Sequence, residues 1–488
     1  MIPFAARLGL AAAGGLCLGL GQVPWSLWPL SLLGLAGILY LLERAETPKR
    51  AALLAFVAGT VQFGVAISWI TEPFLIEPER TGWMAPFALA LMAAGGGLFW
   101  ALPVWGMRRW RGGMAALVLA LVLSDLARGY VLTGFPWALI GHIWIETPIA
   151  QLAALVGQTG LSLLTLAIAG SLAAAAQKRV FLLPAALLLA LPWGFGVWRL
   201  AGPEPQAPGL TLRLVQPNAA QEGKWEPGLA RQHFDNLLAA TSAAPKVDLV
   251  IWPETALPYL IETTPEIPAM IAAASKGAPV ILGLQRVEEA RGWNSLRVQD
   301  GAGALIASYD KHHLVPFGEY IPFGDLAYDW FGLTAFAAQT GRAYSAGKGP
   351  AVLDLGTLGK VLPLICYEAV FPQDLRTRDR ASWIVQITND AWFGTRSGPF
   401  QHAALAQLRA IEQGLPLARI ANTGLTQMID ARGRVVAALP FGGAGHLDAA
   451  LPGPLPAPPY ARWGEAPLLA LLAALAALVW HQSRRLPA

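Results

Sequence analysis

Long apolar blocks separated by short charged connections fill the chain as far as Leu200, and one more block lies near the other end. A helix needs about 20 apolar residues to cross a bilayer core, where its backbone groups must satisfy one another. The blocks predict spans near Phe4 to Leu20, Trp25 to Leu42, Ala51 to Ile70, Trp83 to Val104, Met114 to about Leu132, Ile149 to Ala176 and Val180 to Leu200, with another near Trp463 to Trp480. That makes eight, seven before a long middle segment and one after it. Asp125 and Arg128 interrupt the fifth, and the glycine-rich stretch that follows carries Pro136. A short helix followed by a segment lying in the interface is expected there. Only Arg7 precedes the first apolar run closely, and six more spans follow, so that run is expected to be a retained helix rather than a cleaved signal.

From about Gly202 to Ala461 the texture changes: charges, turn signals and short alternating apolar runs return. The entry "AGPEPQAPGL" and the exit "LPGPLPAPPYARW" are rich in proline and glycine, as domain boundaries are. The expected division is 1–201 for a seven-helix membrane region, 202–461 for one extracytoplasmic domain, and 462–488 for a last span with a short tail. The middle segment is long enough to bury a core of its own. Strand patterns read "LTLRLVQP", "VDLVIWPE", "APVILGLQ", "LRVQD" paired through "GAG" with "ALIASYD", "KVLPLICYE", "WIVQITND" and "PLARIAN", and "TQMIDARGRVVAAL" reads as a hairpin. Helical patterns cover about Gly228 to Ser242, Ile267 to Ser275 and His402 to Glu412. Such mixing argues for an α/β layered sandwich inserted into a polytopic α-helical membrane protein.

Composition sharpens the membrane reading. The chain is 55% hydrophobic and 14% charged, with a mean hydropathy of +0.46, outside the range of an ordinary soluble enzyme. With the N-terminus in the cytoplasm, the inner connections hold Arg44, Lys49 and Arg50, then Arg108, Arg109 and Arg111, then Lys178 and Arg179, with Arg484 and Arg485 after the last span. The outer short loops hold little beyond Arg80 and Arg128. This asymmetry puts both termini inside and the middle domain on the outer face, the periplasm in a Gram-negative cell. The net charge of +4 is partly in those inner loops and says little about outer partners. Trp25, Trp28, Trp83, Trp100 and Trp105 fall near span ends, where an interfacial belt is the expected reading.

The chemistry-bearing residues sit at strand ends of the middle domain. "VIWPETALP" places Glu254 after a buried run, "YDKHHLVPFGEYIPF" carries Lys311 and Glu319, and "LICYE" ends a strand at Cys366. A carboxylate, an ammonium and a thiol together suit acyl transfer through a thioester. The thiolate is the nucleophile, and an ordinary cysteine is mostly protonated at neutral pH. Glu254 would take the proton during attack and return it to the leaving group, while Lys311 would stabilise the oxyanion. No metal and no organic cofactor is required. His312 and His313 show no spaced partner in the sequence, so no metal is expected at them. His402 reads as a structural residue at a helix start. Cys17 lies in the first span, which makes a disulfide with Cys366 improbable on topology.

The order Glu254 in "WPE", Lys311 in "YDKHHLVPFGEY" and Cys366 in "ICYE" resembles the nitrilase (carbon–nitrogen hydrolase) superfamily. With seven spans before and one after, it resembles the apolipoprotein N-acyltransferase family, which carries out the last step of bacterial lipoprotein maturation. The match extends through "QPN", the tryptophan of "GKWEP", "PFGEYIP", "ITNDAWFG" followed by "GPFQH", and "ANTG". The resemblance implies an αββα sandwich and a ping-pong reaction. A phospholipid, typically phosphatidylethanolamine, donates an acyl chain to the cysteine, which passes it to the amino group of a diacylglyceryl-cysteine apolipoprotein. It further implies Glu254 as base, Lys311 as oxyanion partner, Cys366 as nucleophile, and Glu319, Tyr367 and Glu368 as supporting residues. Trp225, Trp392 and Asn294 are the substrate-binding candidates, with Trp225 the less secure because "AAQEGK" before it lacks prolines that relatives show. A membrane-embedded monomer that binds no nucleic acid is expected.

The combination argues for an enzyme whose two lipid substrates stay in the bilayer, with an apolar lid (Phe317, Phe323, Trp330, Phe331) expected to keep water from the acyl-enzyme. A membrane-tethered nitrilase or amidase would use the same trio without needing a lipid-facing entrance. A transporter would explain the helices, but the spans carry few ionisable residues beyond Asp125 and Arg128. A purely structural membrane protein would need none of the three reactive side chains.

Overall fold

The computed structural model describes residues 3–110, 113–221, 226–289, 291–322 and 343–485. The chain divides into two compact units: Met1–Gly202 with Arg396–Ala404 and Ala457–Ala488, and Pro203–Thr395 with Leu405–Pro456.

The first unit is helical. Its main helices run Phe4–Gly19, Trp28–Glu43, Pro48–Ala66, Ala85–Arg109, Met114–Arg128, Ala153–Ala175, Leu182–Leu200 and Ala466–Arg485. Among the described residues, three stretches are long and apolar enough to cross a membrane: Pro78–Arg109, Pro148–Ala175 and Arg179–Leu200. A fourth forms if Pro48–Ala66 and Ser68–Leu75, bent by 49°, count as one. Phe4–Gly19, Trp28–Glu43 and Ala466–His481 are apolar but shorter, and a 16-residue helix rises only about 24 Å against a hydrocarbon core of about 30 Å. Leu183, Leu191 and Trp198 on Leu182–Leu200 are largely exposed, a face that favours lipid over water.

The stretch after Asp125 differs from the expected interfacial segment. Trp137, Leu139, Ile140, Ile143 and Trp144 are buried inside the helical unit, the last three on the short helical turn Ile140–Trp144, which a second turn, Pro148–Leu152, follows. The two charges that interrupt the fifth apolar block tie it there. Asp125 accepts hydrogen bonds from the Ile140 N–H at 2.8 Å and the Ser162 hydroxyl at 2.7 Å, and the Arg128 guanidinium donates to the Phe135 carbonyl at 3.1 Å and to that of Trp137. Backbone that would be orphaned in an apolar interior is thereby satisfied. Trp100 is also fully buried, packed on Phe63, so it is a core residue and not part of an interfacial belt; Trp25, Trp83 and Trp105 remain exposed.

The second unit is a two-sheet sandwich. Its strands are β1 Thr211–Gln216, β2 Leu249–Ile251, β3 Val280–Glu288, β4 Arg291–Gln299, β5 Leu305–Asp310, β6 Leu353–Asp354, β7 Lys360–Ile365, β8 Trp383–Thr388, β9 Leu417–Ala421, β10 Gln427–Ile429, β11 Val435–Ala438 and β12 Gly445–Ala450. One sheet has the order β12-β1-β2-β3-β4-β5 and the other β11-β10-β9-β8-β7-β6. In each, the central run is parallel, β1-β2-β3 and β7-β8-β9, and the flanking pairs are antiparallel.

Helices Pro227–Ser242 and Ile267–Ser275 cover the first sheet, burying Phe234, Leu237 and Ile271 against Val250, Trp252 and Val280. Ala406 and Ala410 of helix Gly398–Gln413 cover the second against Leu362, Leu364 and Ile384. The layers are therefore α, β, β, α, and the central strands β2, β7, β8 and β9 are buried runs, as parallel strands covered on both faces are. The division between units falls inside Gly398–Gln413, so His402 groups with the helical unit, where its ring stacks on Trp137.

β12 lay outside the sequence reading. Its alternation is weak, and it is held at the sheet edge by a buried fork: Arg213 donates to both oxygens of Asp448 at 2.7 and 2.6 Å across the β1–β12 register.

Candidate active site

Parallel strands with buried faces put their chemistry at their carboxyl ends, where the chain leaves the sheet. β2 ends and Glu254 follows at a turn in which Thr255 has φ 44°. That turn packs directly on β3: a Cβ on Gly283 would lie 2.3 Å from the Pro253 carbonyl oxygen, so only glycine fits beneath the glutamate. β5 ends at Asp310 and delivers Lys311, and β4 contributes Asn294 from mid-strand. From the other sheet, β7 ends in Cys366 and β8 in Asn389.

Glu254, Lys311, Glu319 and Asn294 form one buried cluster. The Lys311 ammonium donates to Glu319 Oε1 at 3.0 Å and lies 2.9 Å from Oε2 and 3.7 Å from Glu254 Oε1. Asn294 Nδ2 donates to Glu254 Oε1 at 2.6 Å and to Glu319 Oε1 at 3.1 Å, while its carbonyl accepts the Lys311 N–H at 2.9 Å. The Val315 N–H holds Glu319 Oε2 at 2.8 Å, and the Asn389 N–H holds Glu254 Oε2 at 2.8 Å. Asn294 Oδ1 is buried and has no hydrogen-bond partner among the described residues.

The electrostatics follow from burial. Desolvation pushes the Glu254 carboxyl above its ordinary range and the Glu319 charge adds to this, against Lys311, Asn294 and the Asn389 N–H. Burial alone would lower Lys311, but the carboxylates of Glu319 and Glu254 outweigh it and hold the ammonium charged. The Cys366 thiol is pushed up by burial and by the Glu254 charge, with Lys311 and Thr388 opposing. Burial thus favours the neutral thiol of Cys366 over the thiolate.

Cys366 opens the tight turn Cys366–Val370 with φ 53°, a left-handed conformation that costs a non-glycine residue about 1–2 kcal/mol. Two contacts hold it. Gln386 Nε2 donates to the Cys366 carbonyl at 3.2 Å. The fully buried carboxylate of Glu368 accepts the Ile365 N–H on one oxygen at 2.7 Å and, on the other, the Tyr309 hydroxyl at 2.9 Å and the His312 N–H at 2.8 Å. Glu368 therefore ties the strand end that bears the thiol to the segment that bears the ammonium. Tyr367 is buried edge-on to Phe371.

Not every expected residue lands in the cluster. Trp392 is half-buried on the turn Asp390–Phe393, next to Asn389. Trp225 and the lid residues Phe323, Trp330 and Phe331 lie outside the described residues; Phe317 is 61% exposed. Neither cysteine forms a disulfide.

Sequence reasoning also missed two arrangements. His312 and His313 do have a partner, Asp374, brought from 61 positions along. The ligating atoms of the three lie within 4.8 Å of one another, and His312 faces Glu368 as well, at 2.7 Å. Burial would lower His312, but bonds to Asp374 and Glu368 prevail and it is pushed up to about 9. The second arrangement is a web of amides around Asn389 and Asn422, inside the motifs "ITND" and "ANTG".

The α/β/β/α sandwich that carries buried Glu254, Lys311 and Cys366 is of the carbon–nitrogen hydrolase class: residues 211–455 match the family model described as carbon-nitrogen hydrolase. Residues 14–171 match a second model, the apolipoprotein N-acyltransferase N-terminal domain. Similar chains include apolipoprotein N-acyltransferases of Caulobacter vibrioides (38% identical, covering 95% of this chain and 92% of that one), Rhodopseudomonas palustris (34%, 98% and 95%) and Brucella melitensis (35%, 98% and 97%). Among solved structures, an amidase from Nesterenkonia sp. is 18% identical over 56% of this chain and 99% of that one, with a TM-score of 0.39. The chain belongs to the apolipoprotein N-acyltransferase family.

Proposed function

We propose that this chain moves an acyl chain from a phospholipid, phosphatidylethanolamine in the first instance, onto Cys366 and then onto the amino group of a diacylglyceryl-cysteine at an apolipoprotein N-terminus. In the first half-reaction the Cys366 sulfur attacks the ester carbonyl as its proton passes to Glu254. The Lys311 ammonium stabilises the oxyanion, a role worth about 3–4 kcal/mol for a preorganised donor. The ester C–O bond then breaks, Glu254 returns the proton to the departing alkoxide, and lysophospholipid leaves a thioester behind. In the second, the amine nitrogen attacks the thioester as its proton passes to Glu254, the C–S bond breaks, and Glu254 returns that proton to the departing sulfur, restoring the thiol as the amide forms.

The observation that carries this reading is the joint burial of Glu254, Lys311 and Glu319 in one paired cluster, with burial pushing the Cys366 thiol up. Such a thiol reacts only where a base is in place, which is general-base nucleophilic catalysis. Glu319 holds Lys311, Asn294 spaces the two carboxylates, and its unpaired Oδ1 is an acceptor for an incoming N–H. Glu368 and Tyr367 support the turn. Trp392 and Trp225 are assigned to substrate contact, and no cofactor is called for by these steps.

In the same reading all eight apolar helices span the inner membrane of a bacterial cell, with both termini cytoplasmic, residues 202–461 facing the periplasm, and the chain acting as a monomer. Exposed leucines on Leu182–Leu200 and the charge asymmetry of the connections support it.

Purified protein mixed with phosphatidylethanolamine vesicles should gain the mass of one acyl chain on Cys366 and release lysophospholipid, and Cys366→Ser should do neither. Transfer at the native rate by the serine variant would overturn the mechanism. An adduct formed from a small amide and not from the phospholipid would favour the tethered-amidase reading.

A further inference from the structure

Glu254 can serve as a base only if its carboxylate plane is fixed, and both of its oxygens are gripped by neighbours. Oε1 faces Asn294 and Lys311. Oε2 is held by one peptide N–H, that of Asn389, which sits past the end of β8 in the opposite sheet. What holds that peptide is a set of amide side chains that the acyl-transfer steps do not use.

Asn422 follows the end of β9 and is 1% exposed. Its Nδ2 donates to Asn389 Oδ1 at 2.9 Å and to the Ala219 carbonyl at 2.9 Å, and its Oδ1 accepts the Ala219 N–H at 3.1 Å. Its backbone N–H donates to the Thr388 carbonyl and its carbonyl accepts the Asn218 N–H, each at 2.9 Å. Asn389 Nδ2 in turn donates to Gln221 Oε1 at 2.8 Å. Every polar atom of the Asn422 side chain is thus spent on joining two places: the residue whose N–H grips the base, and the loop after β1. Asn389, with its own side chain anchored on both sides, presents its N–H in one orientation. A buried amide web of this kind is worth its burial only when fully satisfied, and this one is.

We propose that Asn422 is a positioning residue for the general base: through Asn389 it fixes the N–H that orients Glu254 Oε2, so the pH at which Glu254 can accept the thiol proton depends on a side chain that touches neither substrate. This rests on Glu254 being the base. A hydrogen bond donated to the ionised carboxylate favours that form. Loosening the Asn389 peptide therefore shifts Glu254 further toward its neutral form, in a site where Lys311, Glu319 and Cys366 are the other titratable groups that act on it.

The test is the pH dependence of Cys366 alkylation by iodoacetamide in the full-length protein, read by mass spectrometry of the Cys366 peptide, in native protein and Asn422→Ala. The acid limb should move up by about one pH unit in the variant, with a several-fold slower rate at neutral pH. Asp448→Asn, which breaks the Arg213 fork and makes no hydrogen bond to the site among the described residues, serves as a destabilised control and should lower the melting temperature without moving the limb. Superimposable limbs for native and Asn422→Ala overturn the proposal and leave Asn422 a structural residue, as does an equal shift in Asp448→Asn. Acyl-adduct formation from phosphatidylethanolamine is measured in parallel: its absence in native protein with a shifted alkylation limb in the variant refutes the acyl-transfer reading and keeps this one.

Discussion

Glu368→Gln tests how far the reactive turn depends on one carboxylate. The native group accepts the Ile365 N–H on Oε2 and, on Oε1, the Tyr309 hydroxyl, the His312 N–H and the His313 N–H at 3.3 Å. A carboxamide has a single acceptor oxygen. The cheaper orientation keeps that oxygen on the crowded side and turns the NH2 toward the Ile365 N–H, setting two donors against each other. One charge-assisted bond at 2.7 Å is lost and the remaining ones are made to a neutral oxygen, which together costs about 3 kcal/mol. For a unit of this size that is a drop of about 6 to 12 °C in its melting temperature. The N–H that loses its anchor lies one residue before Cys366, which is held at φ 53° and has every reason to relax. A misplacement of about 1 Å there lowers the acylation rate on the order of 100-fold. Melting of detergent-solubilised protein and the rate of acyl-adduct formation at saturating phosphatidylethanolamine read the two effects separately. A variant that melts lower but acylates within threefold of native would show that Gln386 and the strand alone hold the turn, and the reasoning would fall.

Three further outcomes follow from the same contacts. Glu254→Gln should fold normally and lose 100- to 10,000-fold in adduct formation, the usual contribution of a general base, and a loss under tenfold would remove Glu254 from that role. Asp390→Asn breaks the buried pair with Arg419, whose guanidinium reaches both oxygens at 3.0 and 2.7 Å with both side chains fully buried. About 3–5 kcal/mol of stability should be lost, and an unchanged melting curve would contradict it. His312, facing Glu368, Asp374, Tyr309 and His313, has its folded pKa pushed up to about 9 from an ordinary 6.5. A raised folded value stabilises fully below the unfolded one and is lost as pH rises through the folded one. The melting temperature should therefore fall between about pH 6.5 and 9, by less in Asp374→Asn, and a flat profile in native protein would refute this.

The parallel sheets were legible because their strands are continuous Val, Ile and Leu runs closed by proline or glycine, as in "VDLVIWP" and "KVLPLIC". The trio at their ends was legible for the same reason: a charged or nucleophilic residue directly after a buried run has to face something other than core. β12 was not legible, since "GHLDAA" has no clear period and gains its place through Arg213 and register with β1. Nor was the burial of 135–145, which composition alone assigns to an interface and which depends on Asp125 and Arg128 turning inward to cap it. The amide web around Asn422 was visible only as letters in "ITND" and "ANTG", because nothing local says which backbone group an asparagine will hold. Asp374 escaped for a like reason, lying 61 positions from the histidine it meets.

Burial, with the Glu254 charge adding to it, pushes the Cys366 thiol up, and a Lys311 cation shared between two carboxylates opposes this only in part. Catalytic cysteines are commonly poised as thiolates by a nearby positive charge. Here Lys311 supplies that charge, but Glu319 binds it at 2.9 Å and Glu254 approaches at 3.7 Å, so little of it is left for sulfur. Burial then raises both the thiol and the Glu254 carboxyl. Raising the carboxyl makes it a stronger base once ionised, which is what proton transfer during attack requires. The arrangement also has a use at rest. The thiolate is the form that oxidises, and on the oxidising outer face proposed for this unit a thiol kept protonated until an acyl ester arrives is protected without a disulfide. In the proposed mechanism Glu254 loosens its hold on the Lys311 ammonium as it takes up the thiol proton, which would couple deprotonation of sulfur to stabilisation of the oxygen.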